Sequence, residues 1–154
     1  MDVKRELFRD HEDHELLLEQ LARAVEARSP TSELRRCWTE FEENLFDHLD
    51  TEERFLFSVT AQAHRLEIQQ LRTEHRQIRQ AVEGLGVSLE LNNLNRPAID
   101  ELRALLFSHR AHEERSLHRW LEVDEGIMAQ RGVLAIRNRR ERSSARMRVA
   151  RRSE

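Results

Sequence analysis

DHLDTEERFLF (residues 47–57) and HRAHEERSL (residues 109–117) decide the reading of this chain. Each holds a His and a Glu four positions apart: His48 with Glu52, and His109 with Glu113. On a helix such a pair projects from one face. Each pair also lies in register with large apolar residues, so the helix that buries those residues carries the His and Glu inward as well.

Working outward, the register extends over four segments. The first, about Val3 to Ala27, repeats Leu7, His11, His14, Leu18, Leu21 and Val25 at steps of four and three. Pro30 stops it, and Thr31 or Ser32 can cap the next segment. The second, about Ser32 to Val59, carries Leu34, Trp38, Phe41, Leu45, His48, Glu52, Phe55 and Val59. After a break near residues 58–62, the third carries His64, Ile68, Leu71, His75, Ile78, Val82 and Leu85. Gly84 and Gly86 are expected to end it, leaving residues 86–96 as the longest loop. Pro97 suits the first turn of a fourth helix bearing Ile99, Leu102, Leu106, His109, Glu113, Leu117 and Trp120, closed by Gly126.

The composition agrees with this. Four Gly, two Pro and 36% charged residues favour long helices, and no alternating β-branched run suggests a sheet. Short connections make neighbouring helices antiparallel. The expected fold is all-α, an up-down-up-down four-helix bundle over residues 1–126, with residues 127–154 as a basic C-terminal tail. Residues 131–154 hold nine Arg against two Glu, a formal +7 that leaves −10 for the first 130 residues of a chain at −3. No apolar stretch is long enough to cross a bilayer. The N-terminal MDVKRELFRD lacks the apolar core of a signal peptide, and the lone Cys37 has no partner for an internal disulfide. A cytoplasmic location is expected.

Counting from the turns places the histidines at one depth. His14 is 16 residues before Pro30, and 16 after it is Phe46, close to His48. His48 and Glu52 lie about as far before the second turn as His75 lies after it. His75 is nine residues before Gly84, and His109 is twelve after Pro97. Six polar residues therefore share the interior: His14, His48, Glu52, His75, His109 and Glu113. Burying them is costly unless they are paired. Metal ligation satisfies all six, and imidazole with carboxylate suits iron, manganese or zinc. Two Glu can bridge two cations while four His fill terminal positions. Cys37 lies some three turns from His48, which argues against thiolate ligation. Without metal, the same residues would form a buried His–Glu hydrogen-bond network.

This pattern, H…HxxxE…H…HxxxE over four helices, resembles the hemerythrin-like (HHE, cation-binding) domain. The matching words are DHELLLEQL (13–21), DHLDTEERFLF (47–57), EHRQI (74–78) and HRAHEERSL (109–117). The resemblance spans about residues 3–125 and implies a bundle holding a non-haem, oxo- or hydroxo-bridged centre of two iron ions. Such centres bind O₂, react with NO or peroxide, or sense iron and oxygen. The oxygen carriers of the family have a fifth His four residues after that of helix three; here Arg79 stands there and cannot ligate. One iron is then less saturated, or Glu53 or Glu114 fills in. The carriers also space the last His and carboxylate one residue further apart, which would select Glu114 over Glu113. These departures favour redox turnover or sensing over reversible O₂ carriage.

His11 shares the stripe with His14; the words that follow favour His14, with His11 a supporting group or fifth ligand. His112 and His118 read as surface or supporting groups, and His64 as uninvolved. Trp38, Phe41, Phe55, Phe107 and Trp120 read mostly as core. The chain has no Tyr, which excludes a tyrosyl radical. Three functions follow: a di-iron protein binding O₂, NO or peroxide as sensor, scavenger or store; a catalase- or peroxidase-like enzyme at the same centre; or a metal-free helical adaptor whose tail recruits a protein or nucleic acid by charge.

Overall fold

The computed structural model describes residues 3–60 and 62–123, with five further positions between 131 and 138. The described residues form helices and no strand. Helix α1 spans Val3–Glu26 and α2 Thr31–Thr51. A π-helical turn, Glu52–Leu56, continues α2 into the short α3, Phe57–Thr60. Helices α4 (Arg65–Glu90) and α5 (Arg96–Arg115) follow, then a short α6 (Leu117–Val123). Helix α1 packs on α2 and α5, and α4 packs on α5 and α2. No described helix is long and apolar enough to cross a membrane. Gly126 and most of the tail from residue 127 lie outside the described residues.

The helix ends show where local chemistry governs. Asn95 caps α5, its Oδ1 accepting from the Ala98 N–H at 3.0 Å, and Pro97 occupies the first turn as expected. Helix α4 does not end at Gly84 and Gly86; it runs through both to Glu90. Gly86 lies against the Trp38 indole, where a Cβ would sit 3.4 Å from the indole nitrogen, so α4 packs closely on α2 at this point. Asn92, at φ 53°, turns the chain after α4 instead, a left-handed position that Asn tolerates. The expected single second helix is interrupted by the π turn. The expected fourth helix breaks at Ser116, whose φ and ψ of −118° and −83° separate α5 from α6.

Two apolar clusters fill the interior. One gathers Leu18 and Leu21 with Trp38, Phe41, Leu45, Leu49, Ile78, Val82, Ile99 and Leu102. The other gathers Leu7, Leu56, Phe57, Ile68, Leu71 and Leu117. Along α1 the chain meets Leu7, then His11 and His14, then Leu18. Along α5 it meets Leu102, then His109 and Glu113, and Leu117 follows on α6. The buried His and Glu residues thus form a polar layer between two apolar ones. Each buried Leu or Phe contributes about 1.5–3 kcal/mol, so the flanking clusters can hold a layer that is itself costly to bury. Of the aromatics read as core, Trp38 and Phe41 are buried, Phe55 and Trp120 are half-buried, and Phe107 is 74% exposed.

Candidate metal centre

Five Nε2–carboxylate approaches define the centre of the polar layer. Glu52 turns one oxygen to each side: Oε1 lies 3.4 Å from His48 Nε2, and Oε2 lies 3.4 Å from His75 Nε2. Glu113 is divided in the same way. Its Oε2 lies 3.2 Å from His11 Nε2, while Oε1 lies 3.1 Å from His109 Nε2 and 3.9 Å from His75 Nε2. Two groups result, His11–His48–Glu52–Glu113 and Glu52–His75–His109–Glu113, each with donor atoms within 4.8 Å of one another. Both share the two carboxylates, and each could hold a cation.

The residues present fit such cations. The Nε2 atoms of His11, His48, His75 and His109 and all four oxygens of Glu52 and Glu113 are buried without a hydrogen bond. Leaving one polar atom so costs about 1–3 kcal/mol, and eight in one layer point to a shared partner. The donor set is nitrogen and carboxylate oxygen, suited to first-row transition metals.

The outward ring nitrogens are held by carboxylates. His48 Nδ1 lies 3.1 Å from Asp10 Oδ2, His75 Nδ1 2.8 Å from Glu53 Oε1, and His109 Nδ1 2.7 Å from Glu74 Oε2. An ionised carboxylate only accepts, so Nδ1 donates and Nε2 faces inward with its lone pair in the neutral ring. This outer support orients metal-binding histidines generally. Glu74 also accepts from His112 Nδ1 at 2.7 Å, and Glu53 is clamped by Arg79 at 3.3 Å and Arg72 at 3.6 Å. Glu53 therefore braces a histidine from outside, and Arg79 braces Glu53.

Charge in the layer is strongly coupled. Burial pushes the His75 imidazole down, but the Glu113, Glu52 and Glu53 carboxylates outweigh it and lift it to about 11. For His109, burial is likewise outweighed, chiefly by Glu113 and Glu74, and the value rises to about 9. His48 is raised against burial by Glu52 and Asp10. Burial pushes Glu113 up, yet His109, His11 and His75 hold it well below the usual carboxylate range. The two buried anions demand positive charge, which either protons or cations can supply.

Five of the six residues expected in the site meet at these distances. His14 is buried beside them, its ring 5.0 Å from that of His48 and edge-on to Phe41, but it joins neither donor group. His11 joins instead. Glu113, and not Glu114, faces inward; Glu114 is exposed and paired with Arg110 at 2.9 Å. His64 stacks on Trp120, with ring centroids 3.9 Å apart. Sequence reading missed Asp10, Glu74 and the π turn. Asp10 falls one residue before His11 and Glu74 one before His75, so an acidic residue adjacent to a stripe histidine was the available signal. The π turn, beginning at Glu52, had none; such turns recur at functional sites.

A cavity of about 50 Å³ adjoins the centre beside His11, His14, His48 and His109. These four, with Glu15 and Arg110, line its polar wall, and Leu45, Leu49, Leu106 and Phe107 its apolar wall. It has room for a small molecule.

Comparison with known proteins gave one match: the family model described as the hemerythrin HHE cation binding domain matches residues 2–134. Neither curated proteins nor solved structures gave a match.

Proposed function

From the premise that the chain belongs to the hemerythrin HHE cation-binding family and is a hemerythrin-like metal-binding protein, we propose that it holds two iron ions and binds O₂, NO or peroxide, as sensor, scavenger or store. The observation that carries this reading is the division of Glu52 and Glu113 between two buried histidine groups. On it, His11, His48, Glu52 and Glu113 hold one ion, and His75, His109, Glu52 and Glu113 the other, with His14 beside the first. Iron bound there supplies redox chemistry and open positions for a small ligand. Asp10, Glu53 and Glu74 keep the rings aimed inward, and Leu45, Leu49 and Leu106 limit water at the cavity wall. We read the domain as an up-down-up-down bundle over residues 1–126, supported by the alternate order in which α1, α2, α4 and α5 meet the two apolar clusters. The basic tail, 127–154, is read as a separate extension, and the cytoplasm as the location.

One observation favours a second reading, catalase- or peroxidase-like turnover. The half-buried His112 shares Glu74 with His109. That chain could pass a proton between the surface and the layer.

Anaerobic loading of the full chain with Fe(II), followed by metal analysis and absorption spectroscopy, tests the proposal. It predicts about two irons per chain, near-ultraviolet charge-transfer bands after exposure to air, and a spectral response to NO. A chain that stays helical and takes up no iron would overturn it. Sustained peroxide consumption would select the enzyme.

A further inference from the structure

His118, like His14, is a buried histidine outside both donor groups, and it is the one that lies beyond the end of α5. On an unbroken helix it would follow Glu113 by five residues, about 140° around the axis, and would leave the buried face. The break at Ser116 prevents this. Ser116 N–H is shared between the His112 and Glu113 carbonyls, at 3.1 and 3.2 Å, and its hydroxyl donates to the His112 carbonyl at 2.7 Å. Helix α6 then begins at Leu117, which packs into the Leu7–Phe57 cluster.

His118 is thereby 1% exposed, and its Nε2 is buried without a hydrogen bond. Its ring lies parallel to that of His11, 13° from coplanar with centroids 6.3 Å apart. His11 is the histidine whose Nε2 faces Glu113 Oε2. An imidazole nitrogen without a hydrogen bond is thus buried beside a histidine of the first donor group.

We propose that His118 is a third imidazole donor to the cation held by His11 and His48, delivered by the helix that restarts after Ser116. The proposal rests on the two-ion reading above. It makes the halves unequal: three imidazoles serve the first ion and two serve the second, each with the shared carboxylates.

The test uses the full chain stripped of metal and titrated anaerobically with Fe(II) and, separately, with Co(II), whose visible bands strengthen as ligands are lost. In His118→Ala one ion is expected to bind as in the parent and the other tenfold or more weaker, with stronger Co(II) bands that added imidazole reverses. His118→Gln keeps a polar side chain of similar size, and the same selective loss is expected; it stands in if the Ala variant does not fold. His14→Ala is the comparator. Two ions bound with parental affinities and spectra in both His118 variants would overturn the proposal and leave the two-ion reading intact. So would selective loss, with strengthened bands, in His14→Ala alone. A parent chain that binds neither metal would overturn both.

Discussion

The two halves of the polar layer are braced in different ways. Around His75 and His109, each ring nitrogen facing outward meets a carboxylate on a neighbouring element, and each carboxylate is secured again, Glu53 by Arg79 and Arg72 and Glu74 by His112. Around His48 the brace is Asp10, and the surroundings are other imidazoles: His11 and His14 stand edge-on to it at 4.9 and 5.0 Å, with His118 stacked behind His11. The cavity is lined by three histidines of this second half and one of the first. One half is held by carboxylates that are themselves secured, and the other gathers imidazoles beside the cavity. The two donor groups of one layer therefore differ in their surroundings, carboxylate braces on one side and clustered imidazoles beside a cavity on the other.

The largest effect is expected where the halves meet. Glu113→Gln keeps the volume but removes the anion that faces His11, His75 and His109. Metal analysis after anaerobic Fe(II) loading is expected to fall from about two irons per chain to one or none. Retention of two would show that the halves do not depend on a shared bridge. Glu114→Gln, one residue on and exposed, serves as the control and is expected to keep both ions.

The next effect separates the halves. Asp10→Asn alters the support of His48, whereas Glu53→Gln and Glu74→Gln alter those of His75 and His109. Loss of such a support typically weakens metal binding about 10–100-fold. Glu53→Gln and Glu74→Gln are expected to weaken the same one of two ions, and Asp10→Asn the other, in competitive chelator titrations. If all three weakened both ions equally, the layer would act as one unit and the contrast drawn above would fail.

How much of this was legible in the sequence follows the same division. The His48–Glu52 and His109–Glu113 pairs and the apolar stripe were readable because helical periodicity is local, and the stripe placed Leu18, Phe41, Ile78 and Leu102 in the interior where they are found. Features that depend on a departure from the regular helix were not. Gly84 and Gly86 read as a helix end because glycine is a poor helix former; the gain from seating Trp38 against Gly86 is tertiary and leaves no local mark. His118 read as peripheral because a straight helix was assumed through Ser116. His11 and His14 were indistinguishable by spacing, since both lie on the stripe. Arg79 read as a missing ligand, and its engagement with Glu53 became visible only when α4 was set beside the π turn.

The smallest effect is a dependence on pH, in the metal-free protein, that the two halves should not share equally. Folded-state values of about 11 for His75 and about 9 for His109 stand above the ordinary imidazole value of 6.5. A raised histidine stabilises the fold fully below its unfolded value, and that contribution is lost as the pH rises through the folded one. Glu53, Glu74 and Glu113 have the opposite sign: lowered from 4.5, they contribute above that value and the contribution is lost as the pH falls through their folded values. The metal-free chain is therefore expected to be most stable between roughly pH 4.5 and 6.5, and its melting temperature to fall by about 5 °C or more between pH 6.5 and 10. Cations in the layer would replace the protons on His75 and His109, so the iron-loaded chain should lack this alkaline loss. His75→Gln in the metal-free chain should flatten the alkaline limb more than His48→Gln does. Equal flattening by the two variants, or a melting temperature that rises with pH in the metal-free parent, would mean that the protons are not held chiefly by the braced half.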